Sequence, residues 1–195
     1  TACSCHVSEG DVIETMSEKV VESRKTILNL LLSNHKTDCF SCAQNGRCKL
    51  QDYCVEYGVE RTTYEGEMTE FPVDDSNPFF TYDPNLCILC HRCVNTCNQV
   101  VGRGAIDTME RGFESSVGTP FGVPIRKSTC ESCGNCVEAC PTGALSSKRR
   151  KSFRPWQIDK KVLTTCPHCG TGCQFYLVVK EQQDRGRGTG QRTVQ

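Results

Sequence analysis

Eight cysteines set out twice in one order constrain this chain more than anything else in it. Cys87, Cys90, Cys93 and Cys97 lie in CILCHRCVNTC, and Cys130, Cys133, Cys136 and Cys140 in CESCGNCVEACP. Each run makes two steps of three and one of four. Cys130 follows Cys87 by 43 residues, and Cys140 follows Cys97 by the same 43. The apolar residues behind them echo as well, GAI at 104–106 against GAL at 143–145. A repeat in register fixes the architecture of its segment, here two like halves about a pseudo-twofold axis.

Soft thiolates in this pattern suit iron. A tight C-x2-C-x2-C loop wraps one cubane, while the helix that follows carries the fourth cysteine to the other. The spacing therefore predicts interleaved ligand sets. Cys87, Cys90, Cys93 and Cys140 would hold one [4Fe–4S] cluster, and Cys130, Cys133, Cys136 and Cys97 a second. This is the ligand run of a bacterial-type ferredoxin, so residues 78–147 read as a two-cluster ferredoxin-like domain. Pro141 follows the second run, whereas Asn98 stands at the matching place in the first. That exchange leaves the ligands intact and lets the helix continue. A pair of zinc sites is the competing reading, but it usually shows two CxxC pairs with a longer spacer.

Composition supports metal over a large core. Only 37% of the 195 residues are hydrophobic and 7% aromatic, while 17 are cysteine. An odd cysteine count, CxxC clustering and no secretory leader argue for metal in a reducing cytosol rather than a disulfide framework. The longest apolar stretch, 27–32, is too short to span a bilayer and is broken by Asn29. A soluble, cytoplasmic chain is expected. The formal charge of zero omits the clusters, each of which adds about −2 when held by four thiolates and about −1 when held by three. A loaded chain near −5 by that reckoning is no nucleic-acid binder. The run Lys148-Arg149-Arg150-Lys151 reads as a solvated linker, within 148–161. Small cores also mean that ligation supplies much of the folding energy, and that the apo chain is largely unstructured.

Ahead of the repeat, His35, Cys39, Cys42 and Cys48 form H-x3-C-x2-C-x5-C. By ligand count this set holds zinc or a cubane equally well, and its place before the paired runs favours a [4Fe–4S] cluster. A neutral imidazole in place of one thiolate should raise the potential. A capping box, Thr15 to Glu18, predicts a helix over 16–34 delivering His35. A second helix is expected over 48–57, closed by Gly58. Cys54 on it has no assigned partner and reads as a small hydrophobe. A short strand is expected at 12–14, a loop over 60–77, a strand at 79–82 and a hairpin of 104–109 with 112–117 across Glu110-Arg111. His91, inside the first run, reads as a surface residue. The fold class is α+β, small and irregular.

Beyond the linker, Cys166, Cys169 and Cys173 form C-x2-C-x3-C in CPHCGTGC, three ligands of an incomplete fourth [4Fe–4S] site. A strand should follow at 175–179. The tail 181–195, EQQDRGRGTGQRTVQ, lacks apolar periodicity and is expected to be disordered.

The order of these motifs resembles the iron–sulfur region of the large (alpha) subunit of NAD(P)-linked molybdenum or tungsten formate dehydrogenases. That region is similar to those of [FeFe]-hydrogenases and of the large iron–sulfur subunit of complex I. ACSCHVSEGDVIET looks like the end of a [2Fe–2S] domain, with Cys3 as its last ligand; the other three ligands are absent from this sequence. HKTDCFSCAQNGRC resembles the family's cluster segment within 16–77, and TTCPHCGTGC, within 162–180, resembles the opening of its molybdopterin domain. The resemblance implies three [4Fe–4S] clusters relaying single electrons, with no catalytic residues in this chain. The implied partners are a flavin/NAD-binding diaphorase-type subunit, a [2Fe–2S] subunit, a molybdopterin catalytic domain or subunit, and ferredoxin. The tail departs from the family, which leads us to expect a piece of a longer subunit with a shifted reading frame near Lys180.

Overall fold

The computed structural model describes residues 5–149, 158–168, 170–181 and 192–194. Cys3, Cys169, Arg150, Lys151 and residues 182–191 lie outside the described residues, together with the expectations placed on them.

Helix α1, Glu18–Ser33, buries Leu28 and Leu32. They are spaced one turn apart, so they share a face. Helix α2, Lys49–Tyr57, buries Leu50 and ends at Gly58, whose left-handed conformation (φ 66°) closes the last turn. With Val59 these residues form a first small core. Arg24 on α1 donates to the Tyr57 hydroxyl at 2.8 Å, pinning the two helices together. The capping box does not form. Ser17 is the N-cap without a side-chain bond, and the helix begins at Glu18. Nor does a strand form at 12–14. Val12 and Ile13 stay exposed, and no strand edge among the described residues pairs with them.

The second core lies between the two cysteine runs. Strand β1, Phe80–Tyr82, pairs antiparallel with β4, Leu145–Ser147, in the register Tyr82↔Leu145. This closes the ends of the repeat on each other. Strand β2, Asp107–Met109, pairs with β3, Ser116–Gly118. The hairpin is shorter than expected because Glu110 (φ 56°) and Gly112 (φ 66°) turn the chain left-handed into a 3₁₀ turn at Gly112–Glu114. Phe80, Tyr82, Val94, Val117, Val137 and Leu145 pack together, with Cys87, Cys97, Cys130, Cys136 and Cys140 on the rim. Burying one such large side chain contributes about 1.5–3 kcal/mol.

Loop 60–77 is fastened by Asp74. Its backbone bridges Tyr82, and its carboxylate accepts from Ile125 N at 2.7 Å and Ser76 N at 2.9 Å. Burial works against the ionised form of Asp74, but the hydrogen bond from the Ser76 hydroxyl, together with these two amides, outweighs it and its pKa falls. The basic run is less free than expected. Lys148 bonds to the carbonyls of Asp75 and Asn77, and the Arg149 guanidinium lies over the Phe79 ring at 4.7 Å.

A hairpin of β5, Lys160–Thr165, and β6, Gln174–Glu181, follows. Strand β7, Arg192–Val194, pairs with β6, where the sequence led us to expect a tail without regular structure.

Candidate iron–sulfur site

The two cysteine runs are built alike. Leu89 (φ 51°) and Ser132 (φ 57°), 43 residues apart, both take the left-handed conformation, as do His91 (φ 56°) and Gly134 (φ 79°). Non-glycine residues seldom adopt it, and where they do the surrounding structure must enforce it. Here it coils each run so that a backbone amide faces a thiol. Leu89 N points at Cys87 Sγ and Ser132 N at Cys130 Sγ, each at 3.4 Å. In both runs the second cysteine, Cys90 or Cys133, is exposed.

Short helices carry the later cysteines of each run. Cys93 lies in α3, Arg92–Asn95, which continues as a π turn, Thr96–Val100, bearing Cys97. Cys136 lies in α4, Asn135–Ala139, and Cys140 caps its end. The electrostatics show which thiols end up together. Burial pushes the Cys93 thiol up to about 12, with Cys87, Cys140 and Cys90 adding to the shift. Burial likewise pushes Cys136 up to about 12, with Cys130, Cys133 and Cys97 adding to it. The fourth cysteine of each run thus neighbours the other run's thiols. Cys97, Cys130, Cys133 and Cys136 line one almost wholly apolar cavity. Tyr82 stands beside the other group, its hydroxyl donating to Val117 O at 2.6 Å.

His35, Cys39, Cys42 and Cys48 surround a second cavity, between the end of α1 and the start of α2. The imidazole is buried, 8% exposed, and its Nδ1 has no hydrogen-bond partner among the described residues. Burial lowers the His35 pKa against the pull of Asp83, so the ring tends to be neutral with a lone pair to give. Burial raises the Cys48 thiol, while the amides of Gln51 and Leu50 at the start of α2 oppose the rise. Burial raises Cys39 too, with Cys42 and Asp38 adding. The desolvated thiols of Cys39 and Cys48 beside a gap, a buried imidazole whose Nδ1 has no partner among the described residues and amides opposing the rise at Cys48 suit a cationic, thiophilic core. Among the described residues no three His, Cys, Asp or Glu side chains close to single-ion geometry.

Other cysteines are less gathered. Cys166 N bonds to Cys173 O at 2.8 Å, so the hairpin brings these two together at its mouth. Cys5 is exposed. Cys54 packs against the first core, and its thiol is raised by burial and then by Cys48 and Cys39. His91 is half-buried rather than a plain surface residue; its Nδ1 meets Thr108 Oγ1 at 2.9 Å, tying the first run to β2. Sequence reasoning missed Leu86 and Gly143, which help wall the His35 cavity. It also missed Thr142, whose hydroxyl lies 3.7 Å from Cys140 Sγ. Only the echoed GAL triplet pointed toward that stretch.

The comparisons agree on the chemistry. Residues 24–63 match the NADH-ubiquinone oxidoreductase-G iron–sulfur binding region. Residues 77–146 match the ferredoxin-like domain of NADH-quinone oxidoreductase subunit 3. The chain is 39% identical over 177 residues to the NADH-quinone oxidoreductase G 2 subunit of Rhizobium meliloti, covering 89% of this chain and 20% of that protein. It is 40% identical over 176 residues to the NADPH-Fe(3+) oxidoreductase alpha subunit of Geobacter sulfurreducens, covering 90% and 20%. The chain therefore spans about a fifth of the length of these relatives. Among solved structures, the NAD+-reducing [NiFe]-hydrogenase in its H2-reduced state superposes with a TM-score of 0.66 and 26% identity, over 72% of this chain and 60% of that one. The described residues contain no helix long and apolar enough to cross a membrane. Residues 24–63 and 77–146 are thus iron–sulfur domains of the kind found in NADH-quinone oxidoreductase subunits of the G or subunit 3 type, related to those of hydrogenases and complex I.

Proposed function

We propose that the chain is the electron-relay part of a large subunit in a cytoplasmic, NAD(P)-linked oxidoreductase, and that it holds three [4Fe–4S] clusters. Their ligands are His35, Cys39, Cys42 and Cys48; Cys87, Cys90, Cys93 and Cys140; and Cys130, Cys133, Cys136 and Cys97. The observation that carries the reading is the doubled coil of the cysteine runs, left-handed residues and amide-to-sulfur contacts repeating at 43 residues. Clusters bound there would supply reversible one-electron chemistry. The chain's own part is to fix the thiolates, aim amides at sulfur, keep the His35 ring neutral and exclude water from the apolar cavity. Each of these tunes a cluster's potential.

A narrower reading, a formate dehydrogenase coupling formate and CO2 to NAD(P) or ferredoxin, rests on Cys166, Cys169 and Cys173 as the opening of a molybdopterin domain. Its partners would be a flavin/NAD-binding subunit and a [2Fe–2S] subunit or domain that Cys3 would help complete. A hydrogenase assembly is the second reading, favoured by the superposition on the hydrogenase chain. The coding sequence beyond residue 195 separates them: pterin-domain motifs support the first, and their absence the second.

Iron and acid-labile sulfide analysis tests the relay itself. Brown protein with about twelve irons is expected from three cubanes. Colourless protein with zinc would mean a zinc-stabilised binding module instead.

A further inference from the structure

The glycine at 143 is not there for its backbone freedom. Its φ lies outside the left-handed region, so alanine would suit the conformation. What forbids a side chain is space. A Cβ would stand 2.6 Å from Cys42 Sγ and 3.2 Å from Leu86 Cδ1, well inside van der Waals contact. The matching glycine of the first half, Gly104, is there for conformation (φ 60°) and meets only Asn98 Oδ1, at 3.7 Å.

Gly143 lies where the two halves of the site touch. Lys49 N, one residue beyond Cys48, donates to Pro141 O, one residue beyond Cys140, at 3.0 Å. Lys36 N, next to His35, donates to Asn85 O at 3.1 Å. Thr142, 1% exposed, donates to Leu86 O at 2.8 Å and so clamps the residue before Cys87 to the turn after Cys140.

We infer that Gly143 is a positioning residue between two redox centres: by leaving Cys42 room against the turn after Cys140, it sets the gap across which the His35 centre and the Cys140 centre exchange electrons. One electron leaves one centre and reduces the other, and no bond is made or broken. The Cys48–Lys49 N–H···O=C Pro141–Cys140 link bridges the gap with a single hydrogen bond. The inference rests on the reading of both centres as iron–sulfur clusters.

The test is electron paramagnetic resonance of the full chain, loaded with iron and sulfide and fully reduced with dithionite. The native His35 centre is expected to show magnetic interaction with one neighbour. Gly143→Ala is expected to weaken that interaction and to slow electron equilibration several-fold after a sub-stoichiometric pulse of reductant. Gly118→Ala, which crowds Met109 Cγ at 3.0 Å away from any cysteine, should leave both unchanged. An unaltered interaction and rate in Gly143→Ala would overturn the inference. So would a native His35 centre with no magnetic neighbour, and this measurement decides alone if the variant fails to assemble. Colourless or zinc-loaded native protein would overturn the functional reading instead.

Discussion

The first and second cysteine runs begin alike and end differently. Up to the fourth cysteine they share left-handed positions, amide-to-sulfur contacts and an exposed second cysteine. After it, the first run keeps winding through Thr96–Val100. The chain then returns so that Ala105 N reaches Cys97 Sγ at 3.3 Å. The second run stops, with α4 ending at Ala139 and Pro141 following Cys140. There Cys140 Sγ has the Thr142 hydroxyl at 3.7 Å. Gly104 follows Cys97 by seven positions and Gly143 follows Cys140 by only three. The difference of four is about one helical turn. The fourth cysteine thus meets an amide donor in the first run and, in the second, a hydroxyl whose own proton goes to Leu86 O. Shedding that turn also frees the second half to lie against the His35 segment.

The largest way to break this comparison is to remove a cysteine proposed to cross to the other run's cluster. Cys97→Ala should cost the centre built on the second run, about four irons of twelve, and spare the one on the first. Cys140→Ala should do the reverse. Iron analysis with paramagnetic resonance reads this directly. If the missing cluster always belonged to the run that was mutated, the crossing would be wrong.

Exchanging the residues after the fourth cysteine should also act unequally. Asn98→Pro places proline inside the continuing helix, where it loses an N–H and clashes one turn back, at about 3 kcal/mol or more. Pro141→Ala acts where the helix has already ended and keeps the carbonyl that Lys49 uses, so it should cost under about 1 kcal/mol. Guanidinium concentrations that bleach the brown chromophore would rank the two variants. Equal losses would mean the first run does not depend on its extra turn.

Asn77 supports only the second run. It is 1% exposed, accepts from Phe79 N at 2.9 Å and donates to Ser132 Oγ at 2.8 Å. The first run has Leu89 at the matching position, with no hydroxyl to hold. Asn77→Ala leaves buried partners unsatisfied and should cost about 1–3 kcal/mol. The centre of Cys130, Cys133 and Cys136 should bleach first; bleaching of both centres together would show that Asn77 supports the whole domain.

Much of this was legible because ligand spacing is a local property. The repeat, the His35 segment, α1, α2 and its Gly58 cap, and the helix running past Asn98 all follow from residues near one another in sequence. The strand at 12–14 failed because alternation at Val12 and Ile13 says nothing about whether a partner edge exists. The capping box failed because Ser17 next door took the cap. Gly143 stayed hidden because its reason is Cys42, about a hundred residues earlier, and no window along the chain contains both. The docking of Lys148 and Arg149 was missed for the same cause. A charge run reads as solvated until the carbonyls of Asp75 and Asn77 come into view.

The smallest contrast lies within the coil. Gly134 (φ 79°) has nothing within 4 Å of where a Cβ would stand, so Gly134→Ala is charged only for a left-handed alanine, about 1 kcal/mol. At the matching place His91 already bears that strain, and its ring gains a bond to Thr108. His91→Gly relieves the strain but loses the bond and loosens the unfolded chain. These terms are each about 1 kcal/mol, one gained and two lost, so the net loss should be close to that of Gly134→Ala. Rates of iron release to a chelator resolve differences of this size. If His91→Gly released iron faster than Gly134→Ala, the Thr108 bond would be holding the first run in its coil. The two halves would then reach one backbone shape by different means, a side-chain tether in the first and the freedom of glycine in the second.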